Sequence, residues 1–592
     1  MRNYCKTVFA LALACVGQNM MAQTTQWGVP TGNPQFPKGS YVELPNPYSA
    51  NSKEWEAVKG TNLSWGTTDK RYKKEEVPKI KKLITNISLE GWKGERVAAQ
   101  ALIWSNTDID KLSLEMSALE GKSGKINASA AFVRYVMQDN FLTCGYRNSS
   151  ANFDSTLVAD PIDHLAKSLP LEAKTARPIW VSIWIPAKTS SGQYTGTLNI
   201  KSGDSTIGSL NLSVQVIDRT LPAPTQWTYH LDFWQNPFAE ARYAGLVPFS
   251  DEHFAYMRPQ FERLRDAGQK VITTSIMHKP WGGQTEDYFE TMVTWIKKAD
   301  GTWTFDYTIF DRWVEYMIGI GIDEQIACYS MIPWNMSFKY FDQTSNSMQT
   351  IKTTTDTPEY RGMWTAMLKS LSLHLKEKGW FNRTVIAMDE RPTKDMQNAF
   401  SIINGADPEF KVSLAGGHHP EIENKLYDYS MASDNIFTPD TLAARHAKGQ
   451  KTTFYTCCAQ KYPNMFTYSP PAENEWISWF AAAKGYDGYL RWAYNSYTKE
   501  PLLDARFRAF QAGDSYLVYP EAHSSIRFEK FIDGVEAFEK IHILKTEFET
   551  KGNKAALKKL NTALKSFSIS NFEKNIPAET TLLKARKILN SL

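Results

Sequence analysis

The hydrophobic pattern changes character once along the chain. Between about residues 25 and 220, short runs of alternating apolar and polar residues are separated by turn residues, as in 179–185, 194–200 and 210–217. Alternation with a period of two buries one face of each strand, and a succession of such strands is typical of an antiparallel β-sandwich. Residues 218–225, which include two prolines, indicate a linker. We therefore predict an N-terminal β-sandwich domain over residues 25–220.

From residue 227 onward, apolar strand-like runs alternate with amphipathic helices, which predicts an α/β fold. Eight such units within roughly 290 residues fit the size and order of a (β/α)8 TIM barrel, which we predict for residues 227–520. A doubly wound sheet is the alternative. The predicted strands are 228–234, 270–275, 325–331, 383–388, 411–415, 435–438, 451–457 and 488–493.

Helical periodicity marks the last segment, residues 521–592. Phe528, Phe531 and Val535 lie on one stripe, and many lysines occupy the other positions. Pro577 separates a last helix from those before it. We predict a helical C-terminal region that packs against the rest of the protein.

The first 22 residues have the pattern of an export signal. Arg2 and Lys6 accompany an apolar run, 7–16, and the small residue Ala22 suits cleavage. The run is too short to span a bilayer. We therefore expect an exported protein, in the periplasm or at the cell surface, with no membrane span. A lipid anchor at Cys15 is the alternative to cleavage after Ala22.

Charge and composition narrow the range of partners. A net charge of +4, from 67 basic and 63 acidic residues, provides no strong field for nucleic acid or an anionic membrane. Aromatic residues make up 13% of the chain, and their rings stack on the apolar faces of sugars as well as filling cores. We therefore expect an uncharged partner, and a glycan suits this composition.

Cysteines are few after the predicted signal, at positions 144, 328, 457 and 458. Four do not make a disulfide scaffold, although an exported chain can form a disulfide. Cys457 and Cys458 are neighbours on a predicted strand and point to opposite faces, which argues against a zinc site. We expect neither a metal nor a cofactor.

Three Asp-Glu dipeptides occur in the chain, and their places in the predicted fold differ. Residues 251–252 begin a helix, where acids offset the helix dipole. Residues 323–324 precede a strand. Asp389 and Glu390 follow the fourth predicted strand, and the C-terminal ends of barrel strands carry the active site. We therefore predict that Asp389 and Glu390 are catalytic; an ion pair with Arg391 is the structural alternative.

The neighbouring strand ends suggest how this pair works. Glycosidases that form a covalent intermediate use two carboxyls about 5 to 5.5 Å apart, but the fifth and seventh predicted strands supply no acid. Asp232 and Asp434 remain as candidate nucleophiles. Adjacent carboxyls suit substrate assistance instead, in which the acetamido oxygen attacks, one carboxylate orients the acetamido N–H and the other protonates the leaving oxygen. Strand alternation would turn the two side chains apart, but irregular backbone beyond the strand can bring both to the pocket.

From Trp227 to about Glu539 the chain resembles glycoside hydrolase family 123, the retaining β-N-acetylgalactosaminidases. The resemblance is carried by HLDFWQNP (230–237), MDERP (388–392), GYLRWAYN (488–495), AGDSYLVYP (512–520) and SIRFE (525–529). It implies a sandwich ahead of a barrel and removal of terminal β-linked N-acetylgalactosamine through an oxazoline intermediate. It also implies that Asp389 orients the acetamido group and that Glu390 is the acid/base. Family members often have Asp-Glu-Pro here, so Arg391 is an insertion.

Aromatic residues at two other strand ends are candidate substrate contacts. Trp492, at the end of the eighth strand, is expected to form a floor for the sugar ring. Tyr455, on the seventh, is expected to donate to the acetamido carbonyl. Both roles are analogies with family 20 hexosaminidases, and both residues are also candidates for the barrel core.

Polar residues near other strand ends complete the predicted site. Asp232 and Trp234 end the first strand and are expected to bind sugar hydroxyls, with a pair between Asp232 and Arg491 as the alternative. Arg491 is also a candidate substrate ligand. His418 is a candidate polar contact, and it lacks the partners at zinc spacing that a metal site would need.

These observations predict an exported, exo-acting, retaining β-N-acetylgalactosaminidase. One alternative is a retaining barrel glycosidase with an enzymatic carboxylate nucleophile. The other is a non-catalytic glycan-binding protein that keeps the barrel as a scaffold.

Overall fold

A computed structural model describes residues 41–146 and 154–592. The predicted export signal and Cys15 lie outside the described residues. Within the described ranges, no helix combines the length and apolar character needed to cross a membrane.

Two β-sheets form the N-terminal domain, which confirms the predicted sandwich. Pairing is antiparallel except between Asn86–Lys93 and Ser205–Thr220, which run parallel. Alternate residues such as Ile103, Val181 and Leu198 form the core between the sheets. The first sheet has the order Thr61–Trp65, Arg96–Ser105, Thr175–Trp184, Ala128–Asp139, Ser155–Asp163 and Ser524–Ser525. The second has the order Asn86–Lys93, Ser205–Thr220, Gly192–Ser202, Ile109–Met116 and Ser168–Leu171, with Leu119–Gly121 and Gly124–Ile126 beside it.

Eight parallel strands form a nearly closed barrel, which confirms the predicted (β/α)8 fold. Each strand pairs with its sequence neighbours, and strands 1 and 2 meet where the Lys270 N–H donates to the Leu231 carbonyl at 3.0 Å. Numbered 1 to 8 along the chain, the strands are His230–Phe233, Val271–Ser275, Gln325–Tyr329, Thr384–Asp389, Lys411–Gly416, Asp428–Ala432, Lys451–Tyr455 and Gly488–Arg491.

Strand 6 corrects one prediction, since it is Asp428–Ala432 and not 435–438. Asp428 lies buried inside the barrel, where its carboxylate is 3.0 Å from His230 Nε2 and accepts from Gln325 Nε2 at 2.7 Å. The inward-facing positions are therefore polar, and no apolar run marks the strand. Thr438 instead caps the helix Pro439–Ala447 with its side chain.

An additional four-stranded sheet, which the hydrophobic pattern did not predict, is built from the segments that follow barrel strands 2 and 3. Its strands are Thr294–Lys297, Trp303–Asp306, Ser337–Asp342 and Ser347–Lys352. The helices of the barrel region are Pro237–Ala244, Asp251–Arg265, Thr308–Ile320, Pro358–Glu377, Thr393–Ala406, Pro439–Ala447 and Pro471–Lys484. A short helix, Ser52–Glu56, precedes the sandwich.

The C-terminal region is helical, as predicted, and its first helix joins the two domains. Arg527 Nε donates to Asp160 of the sandwich at 2.9 Å, and Lys530 Nζ donates to Glu475 of the barrel at 2.7 Å. All four side chains are almost fully buried, so this helix is packed on several sides. The C-terminal helices are Ile526–Thr550, Lys554–Leu564, Ser570–Glu573 and Ala578–Asn590.

A disulfide bond links Cys144 and Cys458, whose Cα atoms are 5.2 Å apart although 314 positions separate them in sequence. Cys144 follows the sandwich strand Ala128–Asp139, and Cys458 follows barrel strand 7. Cys328 and Cys457 are free thiols. This cross-link ties the N-terminal domain to the C-terminal face of the barrel.

Candidate active site

Asp389 is the last residue of barrel strand 4, and Glu390 follows it at the C-terminal face of the barrel. The other Asp-Glu dipeptides lie where the sequence placed them. Asp251 and Glu252 form the first turn of a helix. Glu324 precedes strand 3 and is 3.2 Å from Lys451, at the opposite end of the barrel. Of the three pairs, the one on strand 4 therefore occupies the face where barrel enzymes carry out their chemistry.

Left-handed backbone at Glu390 explains how adjacent residues present both carboxylates at the barrel mouth. The φ angle of Glu390 is +49°, which ends the strand geometry and its alternation of side chains. Its N–H still donates to the Ala415 carbonyl of strand 5 at 2.7 Å. Gly416 lies against this turn, since an added Cβ there would be 3.4 Å from Glu390 Cα. The irregular backbone expected beyond the end of strand 4 is therefore present at Glu390.

Asp389 lies among aromatic side chains. Its Oδ2 accepts a hydrogen bond from Trp334 Nε1 at 3.1 Å. Trp234, Trp281 and Tyr329 form a cluster nearby, with ring centroids 4.7 to 4.8 Å apart. Burial and the negative charge of Glu390 raise the pKa of the Asp389 carboxyl, and the Trp334 N–H opposes that shift. Asp389 therefore holds a proton more readily than an ordinary aspartate.

Glu390 is exposed, and its Oε1 accepts a hydrogen bond from Tyr455 Oη at 2.9 Å. Tyr455 ends strand 7 and is almost fully buried. Burial, together with the nearby charges of Glu390 and Asp389, raises its pKa, so the phenol stays protonated and remains a donor. Strand 7 therefore contributes a hydrogen-bond donor to the carboxylate pair instead of a second acid.

Arg391 contacts both Asp389 and Trp334. Its Nε donates to the Asp389 backbone carbonyl at 2.7 Å, and its guanidinium lies 4.9 Å from the centre of the Trp334 ring. Trp334 belongs to the segment after strand 3 and was not among the site residues predicted from the sequence. No strand-end pattern marks this tryptophan, because it lies five positions beyond Tyr329, the end of strand 3.

Two predicted aromatic contacts differ in exposure. Trp492 directly follows strand 8, is partly exposed and packs against Phe510 with 5.1 Å between ring centroids. Its exposed surface suits the predicted sugar floor. Trp234 is almost fully buried in the cluster with Trp281 and Tyr329, so its ring packs inside the protein and offers little surface to a sugar.

The predicted polar contacts of strands 1 and 8 are buried. Asp232 is 4% exposed, and burial followed by the charge of Asp428 raises its pKa to about 7. Arg491 has no exposed surface; it pairs with Asp514 at 2.6 Å and donates to the Thr456 carbonyl at 3.0 Å. The alternative of an Asp232–Arg491 pair is therefore wrong. Arg491 instead anchors the loop that follows Tyr455.

Histidines occupy two loops at the C-terminal face. His418 follows strand 5, is exposed and lies 3.3 Å from Glu423. His278 follows strand 2 and lies 2.6 Å from Glu290. Within residues 41–146 and 154–592, no three histidine, cysteine or acidic side chains are grouped so as to hold a metal ion.

Comparisons with known proteins agree with this architecture. The family description "Glycoside hydrolase 123, catalytic domain" matches residues 234–544, just over half of the chain, and "Glycoside hydrolase 123 N-terminal domain" matches residues 65–202. No curated protein sequence matches.

One solved structure is similar over nearly the whole molecule. It is a family 123 glycoside hydrolase from Clostridium perfringens, described for glycolipid glycan hydrolysis. It is 26% identical, with a TM-score of 0.81, over 90% of this chain and 97% of that one. A family 39 glycoside hydrolase from Bacteroides cellulosilyticus WH2 is 11% identical over 72% of this chain and 80% of its own, with a TM-score of 0.32.

Proposed function

The chain belongs to glycoside hydrolase family 123, and from this premise we propose that it removes terminal β-linked N-acetylgalactosamine from glycans by substrate-assisted catalysis with retention. One observation carries the mechanism: the positive φ of Glu390 leaves two adjacent carboxylates at the barrel mouth, one bonded to Trp334 and the other to Tyr455. This arrangement suits one orienting group beside one proton carrier.

In the first step, protonated Glu390 gives its proton to the glycosidic oxygen as the bond from that oxygen to the anomeric carbon breaks. The acetamido carbonyl oxygen forms a bond to the anomeric carbon from the opposite face. Asp389 accepts a hydrogen bond from the acetamido N–H and stabilises the positive charge that develops in the ring. The products are the free leaving group and a protonated oxazoline, an oxazolinium ion that keeps its N–H and pairs with ionised Asp389.

In the second step, Glu390 takes a proton from water as the water oxygen bonds to the anomeric carbon and the oxazoline opens. The two displacements each invert the anomeric centre, so the configuration is retained. Glu390 returns to its protonated form, and no group from the protein bonds to the sugar.

The electrostatics of Asp389 bear on this division of roles. Burial, and after it the charge of Glu390, raises the pKa of the Asp389 carboxyl. An acetamido N–H directed at Asp389 opposes that shift and favours its ionised form. Substrate binding thus favours the ionised Asp389 that the orienting role requires.

We also propose that the protein is exported. The Cys144–Cys458 disulfide supports this, because structural disulfides persist in oxidising compartments. Cell fractionation of the native host, with the disulfide monitored by thiol labelling before and after reduction, tests the location.

The activity test compares aryl β-N-acetylgalactosaminide with aryl β-galactoside, using the wild type, Asp389→Asn and Glu390→Gln. We expect turnover of the acetamido sugar only, and loss of that turnover in both variants. Similar efficiency on the plain galactoside would overturn the acetamido mechanism in favour of an enzymatic nucleophile. Binding of glycan without turnover of any glycoside would overturn the enzymatic proposal. Competitive inhibition by the matching thiazoline would support the oxazoline, since analogues of high-energy species bind tightly.

A further inference from the structure

A segment of the N-terminal domain extends onto the catalytic face of the barrel. Residues 141–146, which we call the arm, follow the sandwich strand Ala128–Asp139. Two of its large side chains are exposed, Leu142 at 59% and Tyr146 at 68%. Exposed large apolar side chains grouped beside a catalytic face mark a candidate contact surface.

Three attachments hold the arm to three different barrel loops. Cys144 forms the disulfide with Cys458, after strand 7. The Gly145 N–H donates to the Ala509 carbonyl, in the segment after strand 8, at 3.1 Å. Tyr146 Oη donates to the Gly283 carbonyl, after strand 2, at 3.0 Å. Strands 7, 8, 1 and 2 are consecutive around the barrel, so the arm follows the part of the rim that faces strand 4.

The arm's attachment points lie beside the aromatic residues of the site. Ala509 adjoins Phe510, whose ring packs against Trp492 at 5.1 Å. Gly283 is two residues from Trp281, a member of the cluster next to Asp389. The Tyr146 hydroxyl is thus fixed near Trp281, while the adjoining backbone of the arm lies near Phe510.

The loops that follow strands 2 and 8 are also joined to each other. Arg508 donates to the Glu286 carboxylate at 2.6 Å and to the Thr285 carbonyl at 3.2 Å. The two loops that hold the arm near Tyr146 are therefore also linked directly to each other. A rigid aromatic ring loses little entropy when it contacts a ligand, which suits a binding subsite.

We propose that the arm forms a subsite for the sugar on the leaving-group side of the scissile bond, with the Tyr146 ring as its contact surface. The inference rests on the proposed function, in which an exo-acting enzyme encloses the terminal sugar in the barrel mouth. The rest of the glycan then leaves across the rim. A tyrosine whose hydroxyl is already bonded to Gly283 offers its ring face to the apolar face of a neighbouring sugar. The ligand class is an oligosaccharide of at least two sugars.

The test compares two substrates that differ only beyond the scissile bond. One is an aryl β-N-acetylgalactosaminide, and the other is an oligosaccharide of three or more sugars with the same terminal residue. For Tyr146→Ala, kcat/KM on the oligosaccharide should fall about 5- to 10-fold, the size of one aromatic contact, and the fall on the aryl substrate should be less than about 2-fold. Tyr146→Phe keeps the ring and should retain most of the oligosaccharide activity.

Two further variants separate recognition from folding. Tyr48→Ala removes another exposed tyrosine, which lies ahead of the sandwich strands, and should leave kcat/KM unchanged for both substrates. The double variant Cys144→Ser/Cys458→Ser releases the arm and should lower kcat/KM for the oligosaccharide selectively. An equal loss on both substrates, or no loss on the oligosaccharide with Tyr146→Ala, would overturn the subsite.

Failure of the proposed function can be recognised separately. If the wild type turns over neither substrate, the hydrolase mechanism fails, and calorimetric titration with the same oligosaccharide then tests the arm. Weaker binding by Tyr146→Ala than by the wild type would retain the subsite, and equal binding would overturn it.

Discussion

Tyr455 on strand 7 donates a hydrogen bond of 2.9 Å to Glu390, which follows strand 4. The bond crosses the barrel mouth and connects the two sides of the site. It also gives strand 7, which ends without an acid, a direct contact with Glu390.

Replacing Tyr455 with Phe should therefore slow catalysis without unfolding the protein. The ring that fills the barrel remains, but Glu390 loses its hydrogen-bond donor. We expect kcat/KM on the aryl β-N-acetylgalactosaminide to fall about 10- to 100-fold, the range for groups that position an acid/base. Tyr486→Phe, which alters a buried tyrosine before strand 8, is the matched control. Unchanged kinetics in Tyr455→Phe would show that the contact has no part in catalysis.

Trp334→Phe should shift the pH profile in a defined direction. The indole N–H stabilises ionised Asp389, so its removal raises the pKa of that carboxyl further. As the pH is lowered, a step that needs ionised Asp389 is then lost sooner. The acidic limb of kcat/KM should therefore move to higher pH, by about 0.5 to 1 pH unit. Trp184→Phe, on the exposed surface of the sandwich, should leave the limb in place. A shift to lower pH would contradict the orienting role of Asp389.

The way in which the rate depends on the leaving group should distinguish the roles of Asp389 and Glu390. Glu390→Gln lacks the proton donor, so turnover of a natural glycan should fall about 100- to 10,000-fold, with a smaller loss in the first step for an activated aryl leaving group. Asp389→Asn cannot stabilise the acetamido cation and should lose activity on both substrates. Pre-steady-state release of the aryl group measures the first step. If Asp389→Asn showed the leaving-group-dependent loss and Glu390→Gln lost activity equally on both substrates, the two roles would be exchanged.

Asp232→Asn tests both stability and the alternative nucleophile. Burial raises the pKa of Asp232 to about 7, so the folded state keeps a proton that the unfolded chain loses near pH 4. The folded state is therefore destabilised progressively as pH rises from about 4 to 7. The neutral variant should gain on the order of 4 kcal/mol relative to wild type across that window, measured by unfolding at several pH values. If Asp232 were the nucleophile, the same variant would lose nearly all activity, and we expect a loss below 10-fold.

Much of the site followed from strand positions, and its remaining parts depend on contacts between distant segments. The location of Asp389 and Glu390 could be predicted because the apolar run before them marks a barrel strand. Strand 6 was missed because Asp428 and Ser430 face inward and are polar. The Tyr455–Glu390 bond joins strands 65 residues apart, and no local pattern specifies such a contact. The pairing of Cys144 with Cys458 is equally invisible in sequence, since spacing does not determine connectivity.

Arg391 and Trp334 should act as one unit, because the arginine binds the Asp389 carbonyl through Nε and stacks on the tryptophan that bonds the Asp389 carboxylate. Arg391→Ala should lower kcat about 3- to 10-fold with a smaller change in KM, since the loosened group is a positioning contact. Arg391→Lys should not restore activity, because an ammonium lacks the planar surface that stacks on the indole. A double-mutant cycle with Trp334→Phe measures the coupling. We expect the double variant to lose less than the sum of the single losses, since either change releases the same carboxylate. Strictly additive losses would mean that Arg391 acts independently of Trp334.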